Sequence, residues 1–237
     1  MREDVMDAAD LARLRVKIDF TANAVFAGYF REEWPIAVDY LQQHQMIPVE
    51  PADLYVFAPA NSRELMSMYM QIEVAEEATK RHGVIIACIS AANHRPVSDR
   101  PLCETLDELI HATEEWTKES GDDNPQHAHW HHRDMVCKEE LLARDFDEIT
   151  RVVARMDGEP RSTTHVWSHK RCIQNRHTIL VTEGVSPEEG ERFGFKTTHR
   201  RFDDALAEAR SVLGPNPSIL ASMPPRNGVP WVARRDE

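Results

Sequence analysis

Apolar positions along the chain recur with two periods, one typical of strands and one typical of helices. The clearest stretch, residues 51–93, begins with a short apolar strand predicted at Asp53–Ala58. The next apolar residues recur at intervals of three and four, which places them on one face of a helix: Leu65, Met68, Tyr69, Ile72 and Ala75. Gly83 is predicted to end this helix. The continuous apolar run Val84–Ile89 then predicts a strand covered on both faces, as in parallel sheets.

Charged residues on the opposite face of this helix support the same prediction. Glu76 precedes Lys80 by four residues, and Glu77 precedes Arg81 by four. Acidic-before-basic pairs at this spacing stabilise an exposed helix face.

The rest of the chain also alternates between strand and helix patterns. Predicted helices are Asp4–Arg15, Pro35–Gln43, Leu102–Trp116, Lys138–Met156 and one capped by Asp203 and closed by Gly214. Predicted strands are Val16–Ala27, Thr178–Thr182 and Ser218–Met223, followed by a turn at Gly228–Pro230. We therefore predict a single α/β domain over residues 1–237, with a layered, mostly parallel sheet and flanking helices.

Composition narrows the function classes. The 237 residues carry 28 Lys and Arg against 40 Asp and Glu, a formal net charge of -12, which disfavours general binding to nucleic acids. The N-terminal segment is charged and lacks the apolar core of a secretion signal, and no apolar run has the length of a membrane span. The four cysteines form no CxxC pair, so we expect reduced thiols in a cytoplasmic protein.

Common nucleotide and hydrolase motifs are absent. The chain contains no GxGxxG after a strand, no GxxxxGK[ST] and no GxSxG. The sequence therefore gives no motif that would support a dinucleotide-binding, P-loop or α/β-hydrolase function.

A polar, His-rich insertion is predicted at about residues 117–135. It contains the sequence HAHWHH, whose histidines are His127, His129, His131 and His132. Such side chains favour zinc, copper or nickel, and Asp134 and Cys137 are near enough in sequence to complete a coordination sphere. The alternative is a solvated loop with incidental metal affinity. We favour the loop, because a built site usually holds its ligands on rigid elements.

A second cluster comprises His165, His169 and Cys172. On a helix, these three side chains share one face and would suit a metal with an open coordination position. Lys170 and Arg171 lie beside them and disfavour a cation. The favoured alternative is a polar helix face that lines a cleft, and no metal ligand is assigned.

Polar residues follow the Val84–Ile89 strand directly, where ligands bind in open parallel sheets. Arg95 could hold a carboxylate and His94 could exchange a proton. An ordinary polar loop is the alternative.

Several segments, in order, resemble the C-terminal domain of the nickel-pincer-nucleotide lactate racemase family, over nearly the whole chain. They are AADLARLRVKIDFTANAVFAG, ADLYVFAPANSRELMSMYMQIEVAEEA, GVIIACIS, PLCETLDELI, HVWSHKRCIQNRHTILVTEG, GFKTTHRRFDDALAEARSVLG and ILASMPPRNGVP.

The resemblance implies part of a racemase or epimerase of 2-hydroxy acids, an isomerase that works by reversible hydride transfer to a pyridinium ring carrying nickel. In that family an N-terminal domain supplies the nickel-ligating histidine, the cofactor-bound lysine and the proton-transfer histidines. No catalytic residue is therefore assigned here. We expect a separate N-terminal partner protein that holds most of the nickel-pincer nucleotide, and a small 2-hydroxy acid as substrate.

Two positions carry over from the family pattern. Gln71 matches the glutamine of a Tyr-Gln-x-x-Lys segment, in which Met70 stands in place of the tyrosine, with Tyr69 next to it, and Val74 stands in place of the lysine. Trp167 resembles a tryptophan that faces the family's active-site cleft. With Arg95, these residues form the predicted set that binds substrate or cofactor: Gln71, Trp167, Tyr69 and Arg95.

Two other interpretations remain open. In the first, the domain has kept the fold of the family but lost its catalytic activity, and it serves as a binding or regulatory module. The replacement of the family's lysine by Val74 favours this interpretation. Alternatively, the chain is an unrelated metalloenzyme that uses one of the two His clusters.

Overall fold

The computed structural model describes residues 9–10, 13–20, 24–44, 46–59, 63, 65–94, 105–109, 111, 138–154, 161–222 and 229–232. The chain divides into two compact units, Met1–Val49 with Pro225–Glu237 and Glu50–Pro224. A single domain over the whole chain stays a prediction.

The described elements alternate between strand and helix along much of the chain. The strands are β1 Val16–Phe20, β2 Val25–Tyr29, β3 Met46–Val49, β4 Ala52–Phe57, β5 Thr79–Cys88, β6 His177–Val181, β7 Thr197–His199, β8 Ile219–Ser222 and β9 Val229–Val232. The α-helices are α1 Phe30–His44, α2 Tyr69–Glu77, α3 Phe146–Val153, α4 Arg161–Gln174, α5 Pro187–Phe193 and α6 Phe202–Leu213. A 3-10 turn at Leu65–Met68 leads into α2, and residues 106–109 and 138–143 are also helical.

A parallel five-stranded sheet organises the second unit, which confirms the predicted α/β layered fold. The strand order is β7-β6-β5-β4-β8, and every neighbouring pair is parallel. Val84 and Ile86 of β5 pack with Ala205 and Ala209 of α6 on one face of the sheet. Side chains alternate along a strand, so Ile85, which is fully buried, faces the other side, where α2 contacts β4 and β5.

The long helix predicted to end at Gly83 is shorter. It ends at Glu77, with Ala78 as the cap residue, and β5 begins at Thr79. Lys80 therefore lies in a strand, where its ammonium is 2.9 Å from a carboxylate oxygen of Asp53 rather than paired with Glu76. Gly83 lies inside β5, where a Cβ would come within 2.6 Å of the Asp53 carbonyl oxygen. The glycine thus permits close backbone approach in the sheet and does not end a helix.

Several other predicted boundaries were wrong. The single strand Val16–Ala27 is a hairpin of β1 and β2, and the helix Pro35–Gln43 extends over the whole of α1. The helix Lys138–Met156 is interrupted: residues 138–143 and α3 are separate, and Asp145 accepts a hydrogen bond from the Glu148 backbone at 3.0 Å. A side chain that accepts this bond pairs with a backbone N–H that the first turn of a new helix would otherwise leave unpaired.

The C-terminal region differs from prediction at two points. Arg201, not Asp203, occupies the cap position of α6, while Gly214 ends the helix as expected, with φ of 86°. Pro230 lies in β9, paired in parallel with Ile47 of β3, and not in a turn.

The predicted helices near residues 4–15 and 102–116 fall largely outside the described residues, although residues 9–10 and 106–109 are helical.

One face of the β1–β2 hairpin is apolar and exposed. Val16 lies opposite Tyr29, and Ile18 lies opposite Ala27. Together with Val25, these side chains point away from the protein; the four larger ones are each more than half exposed. Contiguous apolar surface of this kind usually marks an interaction site.

The helices of the described segments do not have the length and apolar character needed to cross a membrane.

Lys170 joins the ends of two helices of the second unit from a buried position on α4. Its ammonium donates to the carbonyl oxygens of Leu142 (2.6 Å), Arg144 and Arg192 (3.1 Å). Burial lowers the pKa of Lys170 to about 8, so that the side chain is still mainly charged at neutral pH. The ammonium therefore satisfies carbonyl groups that a helix leaves unpaired at its C-terminal end.

Replacing Lys170 with methionine should destabilise the second unit. Lys170→Met keeps most of the side-chain volume but removes all three hydrogen bonds, and bonds from a charged group contribute about 1.5–3 kcal/mol. Because the substitution also relieves the burial of a charge, we expect a net loss of about 1–3 kcal/mol in the free energy of unfolding, measured by urea denaturation. Lys196→Met, at an exposed lysine, should change it by less than about 0.5 kcal/mol. Equal effects of the two substitutions would contradict this role.

Candidate functional site

The loops that follow β5 and β6 meet at the carboxyl edge of the parallel sheet. The Ile89 amide donates to the carbonyl oxygen of Val181 at 2.9 Å, and the Thr182 hydroxyl donates to that of Ser90 at 3.2 Å. Ala91 is buried with φ of 48°, and a Cβ at Gly184 would overlap its carbonyl oxygen. This edge is therefore closely packed at the place where parallel sheets bind ligands.

His94 lies at this edge but is enclosed. Its Nδ1 is 2.8 Å from Oε2 of Glu139, and its Nε2 is 3.3 Å from Oε1 of Glu189. The edge of the ring also contacts Phe193, with centroids 5.7 Å apart. Burial by itself lowers the pKa of His94, but hydrogen bonding to Glu139 and the charges of both carboxylates raise it above its usual value. An imidazole with both nitrogens engaged in the interior has no nitrogen left to exchange a proton with a substrate.

Gln71 lies on α2, on the side that faces away from α4. The side of α2 that faces α4 carries Glu73, whose Oε1 accepts from the Ser168 hydroxyl at 2.8 Å. Two residues correspond to about 200° around a helix, so Gln71 points in nearly the opposite direction. Its Oε1 is buried and has no hydrogen-bond partner among the described residues.

Trp167 packs against α3. Its indole N–H donates to Thr150 Oγ1 at 2.9 Å, and its ring stacks on Phe146 with centroids 6.1 Å apart. The Arg171 guanidinium lies 5.7 Å from the ring centre. These contacts hold the indole between α3 and the side chain of Arg171.

The other two predicted binding residues are less defined. Tyr69 begins α2, and its side chain lies outside the described part of the chain. Arg95 also lies outside the described residues. A binding role for Gln71, Trp167, Tyr69 and Arg95 stays a prediction.

The second His cluster lies on α4 as predicted. The rings of His165 and His169 stack with centroids 6.2 Å apart. Burial, together with the charges of His165 and Lys138, lowers the pKa of His169 to about 4, so this imidazole is neutral at pH 7. Burial and the neighbouring Glu76 raise the pKa of the Cys172 thiol to about 12.

Neither His cluster is supported as a metal site by the described residues. Within that part of the chain, no three His, Cys, Asp or Glu side chains are grouped so as to hold a metal ion. The HAHWHH sequence and its neighbours Asp134 and Cys137 lie outside the described residues, and metal binding there stays a prediction.

Sequence reasoning missed both carboxylates that contact His94. Glu189 had a detectable signal, because Ser186 followed three residues later by a glutamate is a capping-box pattern. Ser186 does cap α5, accepting from the Glu189 backbone at 3.2 Å, and an oxygen of the Glu189 carboxylate lies 3.3 Å from Nε2 of His94. Glu139 had no such signal, since it is one acidic residue among several on a predicted helix.

Together, the sheet and its helices define a parallel α/β protein. No family model matches the chain, and no curated protein sequence matches it. Among solved structures it is similar to the lactate racemase apoprotein from Thermoanaerobacterium thermosaccharolyticum, with a TM-score of 0.61 and 16% sequence identity. The likeness covers 96% of this chain and 48% of that chain, so this chain spans about half the length of its structural relative. At this identity the likeness establishes a related fold.

Cys172 should be inert to alkylation in the folded protein. Only the thiolate reacts, and a pKa of about 12 leaves almost none at pH 7.5. We expect iodoacetamide to leave Cys172 unmodified in native protein and to modify it fully in denaturing urea, as read by peptide mass spectrometry. Rapid labelling of the native protein at Cys172 would contradict the buried, protonated thiol.

Proposed function

We propose that this chain is a lactate racemase-like domain of the C-terminal type, part of a 2-hydroxy acid racemase or epimerase system that depends on a separate N-terminal catalytic partner. One observation carries the proposal. The structural likeness extends over 96% of this chain but only 48% of the lactate racemase chain. The other half of the lactate racemase chain lies outside this likeness, and we propose that a partner supplies its role.

The cofactor of the proposed system is a nickel-pincer nucleotide. The described residues offer no three-ligand group for a metal, and Val74 stands where the family has a lysine. The described residues therefore do not fit the role of nickel holder, and we assign that role to the partner. Gln71, with its unpartnered buried oxygen, would contribute a polar contact at most.

The partner also needs a surface to dock on, and the hairpin face offers one. Val16, Ile18 and Tyr29 are apolar, exposed and adjacent through strand pairing. The chain as a whole carries a net charge of -12, but none of the described hairpin residues on this face is charged. Burial of such a face against a second protein is favourable, because it removes apolar surface from water.

A second candidate function is a non-catalytic binding or regulatory module of the same fold. Val74 favours it, because a valine cannot bind an anionic group as the family's lysine would. An unrelated metalloenzyme now depends on the HAHWHH sequence alone.

The isolated chain should not racemise any 2-hydroxy acid, since the proposal assigns the reacting groups to the partner. Chiral chromatography after incubation of purified protein with single enantiomers of lactate and related acids would measure this. The same assay on material purified gently from the native host, with elemental analysis, should show turnover together with a second protein and nickel. Turnover by the single purified chain would contradict the assignment of the reacting groups to the partner. A lone chain from the host, without metal or activity, would favour the binding module.

A charge on the hairpin face should release the partner. Ile18→Asp places a carboxylate in the centre of the proposed interface, where burial of an unpaired charge is unfavourable. We expect at least a tenfold loss of co-purifying partner, quantified by mass spectrometry. Val212→Asp, at an exposed apolar position on α6, is the matched control and should retain the partner. Equal retention by both variants would place the interface elsewhere.

A further inference from the structure

The contacts of His94 match its protonated form. Both ring nitrogens face carboxylate oxygens, Nδ1 facing Glu139 at 2.8 Å and Nε2 facing Glu189 at 3.3 Å. An ionised carboxylate only accepts hydrogen bonds, and a neutral imidazole can donate only one. The arrangement is therefore satisfied by an imidazolium that donates from both nitrogens.

Burial makes this arrangement depend strongly on the proton. The His94 side chain is 0% exposed, and those of Glu139 and Glu189 are 7% and 11% exposed. With the proton present, one positive charge lies between two negative charges. Without it, two buried carboxylates face a neutral ring, and one nitrogen lone pair points at a carboxylate oxygen. Such an arrangement is costly in an interior that water does not reach.

The three residues come from three separate segments of the second unit. His94 ends the loop that follows β5, Glu139 belongs to the helical residues 138–143, and Glu189 belongs to α5. Among the described residues, the charged groups that act on His94 are Glu139 from residues 138–143 and Glu189 from α5, and the Phe193 ring of α5 also contacts the imidazole. The imidazolium thus connects the loop to both helices.

We propose that Glu139, His94 and Glu189 form a pH-responsive clamp, which fixes the loop after β5 at the carboxyl edge of the sheet while His94 is protonated and releases it when the proton leaves. The proposal does not depend on the racemase assignment. Since ligands of parallel α/β sheets bind at this edge, the clamp couples the order of the binding edge to pH.

The direction of the pH effect follows from linkage. The folded protein holds the His94 proton more tightly than the unfolded chain, because the pKa is raised in the fold. The stabilising contribution of the clamp is then complete below the unfolded-state pKa of about 6.5, and it is lost as the pH rises through the folded-state pKa. The loop should therefore be ordered in mild acid and loosened in mild base.

Two backbone amides report on the loop directly. The Asn93 amide donates to the Arg63 carbonyl oxygen at 2.8 Å, and the His94 amide donates to that of Ala91 at 2.9 Å. Both bonds must break when the loop opens, so their hydrogen exchange measures opening.

The experiment combines ring-carbon NMR of His94 with hydrogen exchange of these two amides, on the whole chain, from about pH 5.5 to pH 9. In the wild type, after correction for the intrinsic rate, exchange should become about tenfold faster or more above the His94 titration midpoint. His94→Gln should exchange fast at every pH, with no midpoint. His199→Gln is the matched control, because His199 also pairs with a carboxylate (Glu208, 2.7 Å) but is partly exposed; it should behave as wild type.

A second variant keeps the test decisive if His94→Gln does not fold. Glu189→Gln preserves the side-chain shape and removes one of the two negative charges, so the His94 midpoint and the step in exchange should both move to lower pH. The proposal is overturned by a His94 midpoint at or below about 6.5, by exchange that shows no step with pH, or by a step that Glu189→Gln leaves in place.

Discussion

Burial of β5 on both faces is the constraint on which the rest of the second unit depends. Val84, Ile85, Ile86 and Ala87 are completely buried, and their backbone groups pair with β4 on one side and β6 on the other. A strand in this position needs helices on both faces of the sheet, because neither row of its side chains can be left in water. Parallel pairing then brings the ends of β5 and β6 to one edge, which positions the loops that carry polar groups.

Two buried cations connect that edge to the same pair of helical segments. Lys170 holds the carbonyl ends of residues 138–143 and of α5, while His94 holds a carboxylate from each of them, Glu139 and Glu189. Each of these basic groups contacts oxygen atoms, which is the condition under which a buried charge is tolerated.

The proposed function rests on a likeness of fold and not on a catalytic site among the described residues. The likeness to lactate racemase is a likeness of fold over about half of that chain, and the described residues contain no metal ligand set. Gln71 lies on α2 and Trp167 lies on α4, where its indole donates to Thr150 of α3, and a binding role for both stays a prediction. In this proposal, the domain supplies a frame and a docking surface, and the reacting groups belong to the partner.

Periodicity in the sequence determined the elements whose side chains are buried. The strands β4, β5 and β6 and the end of α6 at Gly214 were predicted, since burial selects residue types at regular intervals. Tertiary structure alone decided where α2 stops, because sheet pairing at Thr79 competes with continued helix. It also decided which of many acidic residues face His94. Contacts between residues 45 and 95 positions apart leave no periodic pattern in the sequence, because they arise only when separate elements pack together.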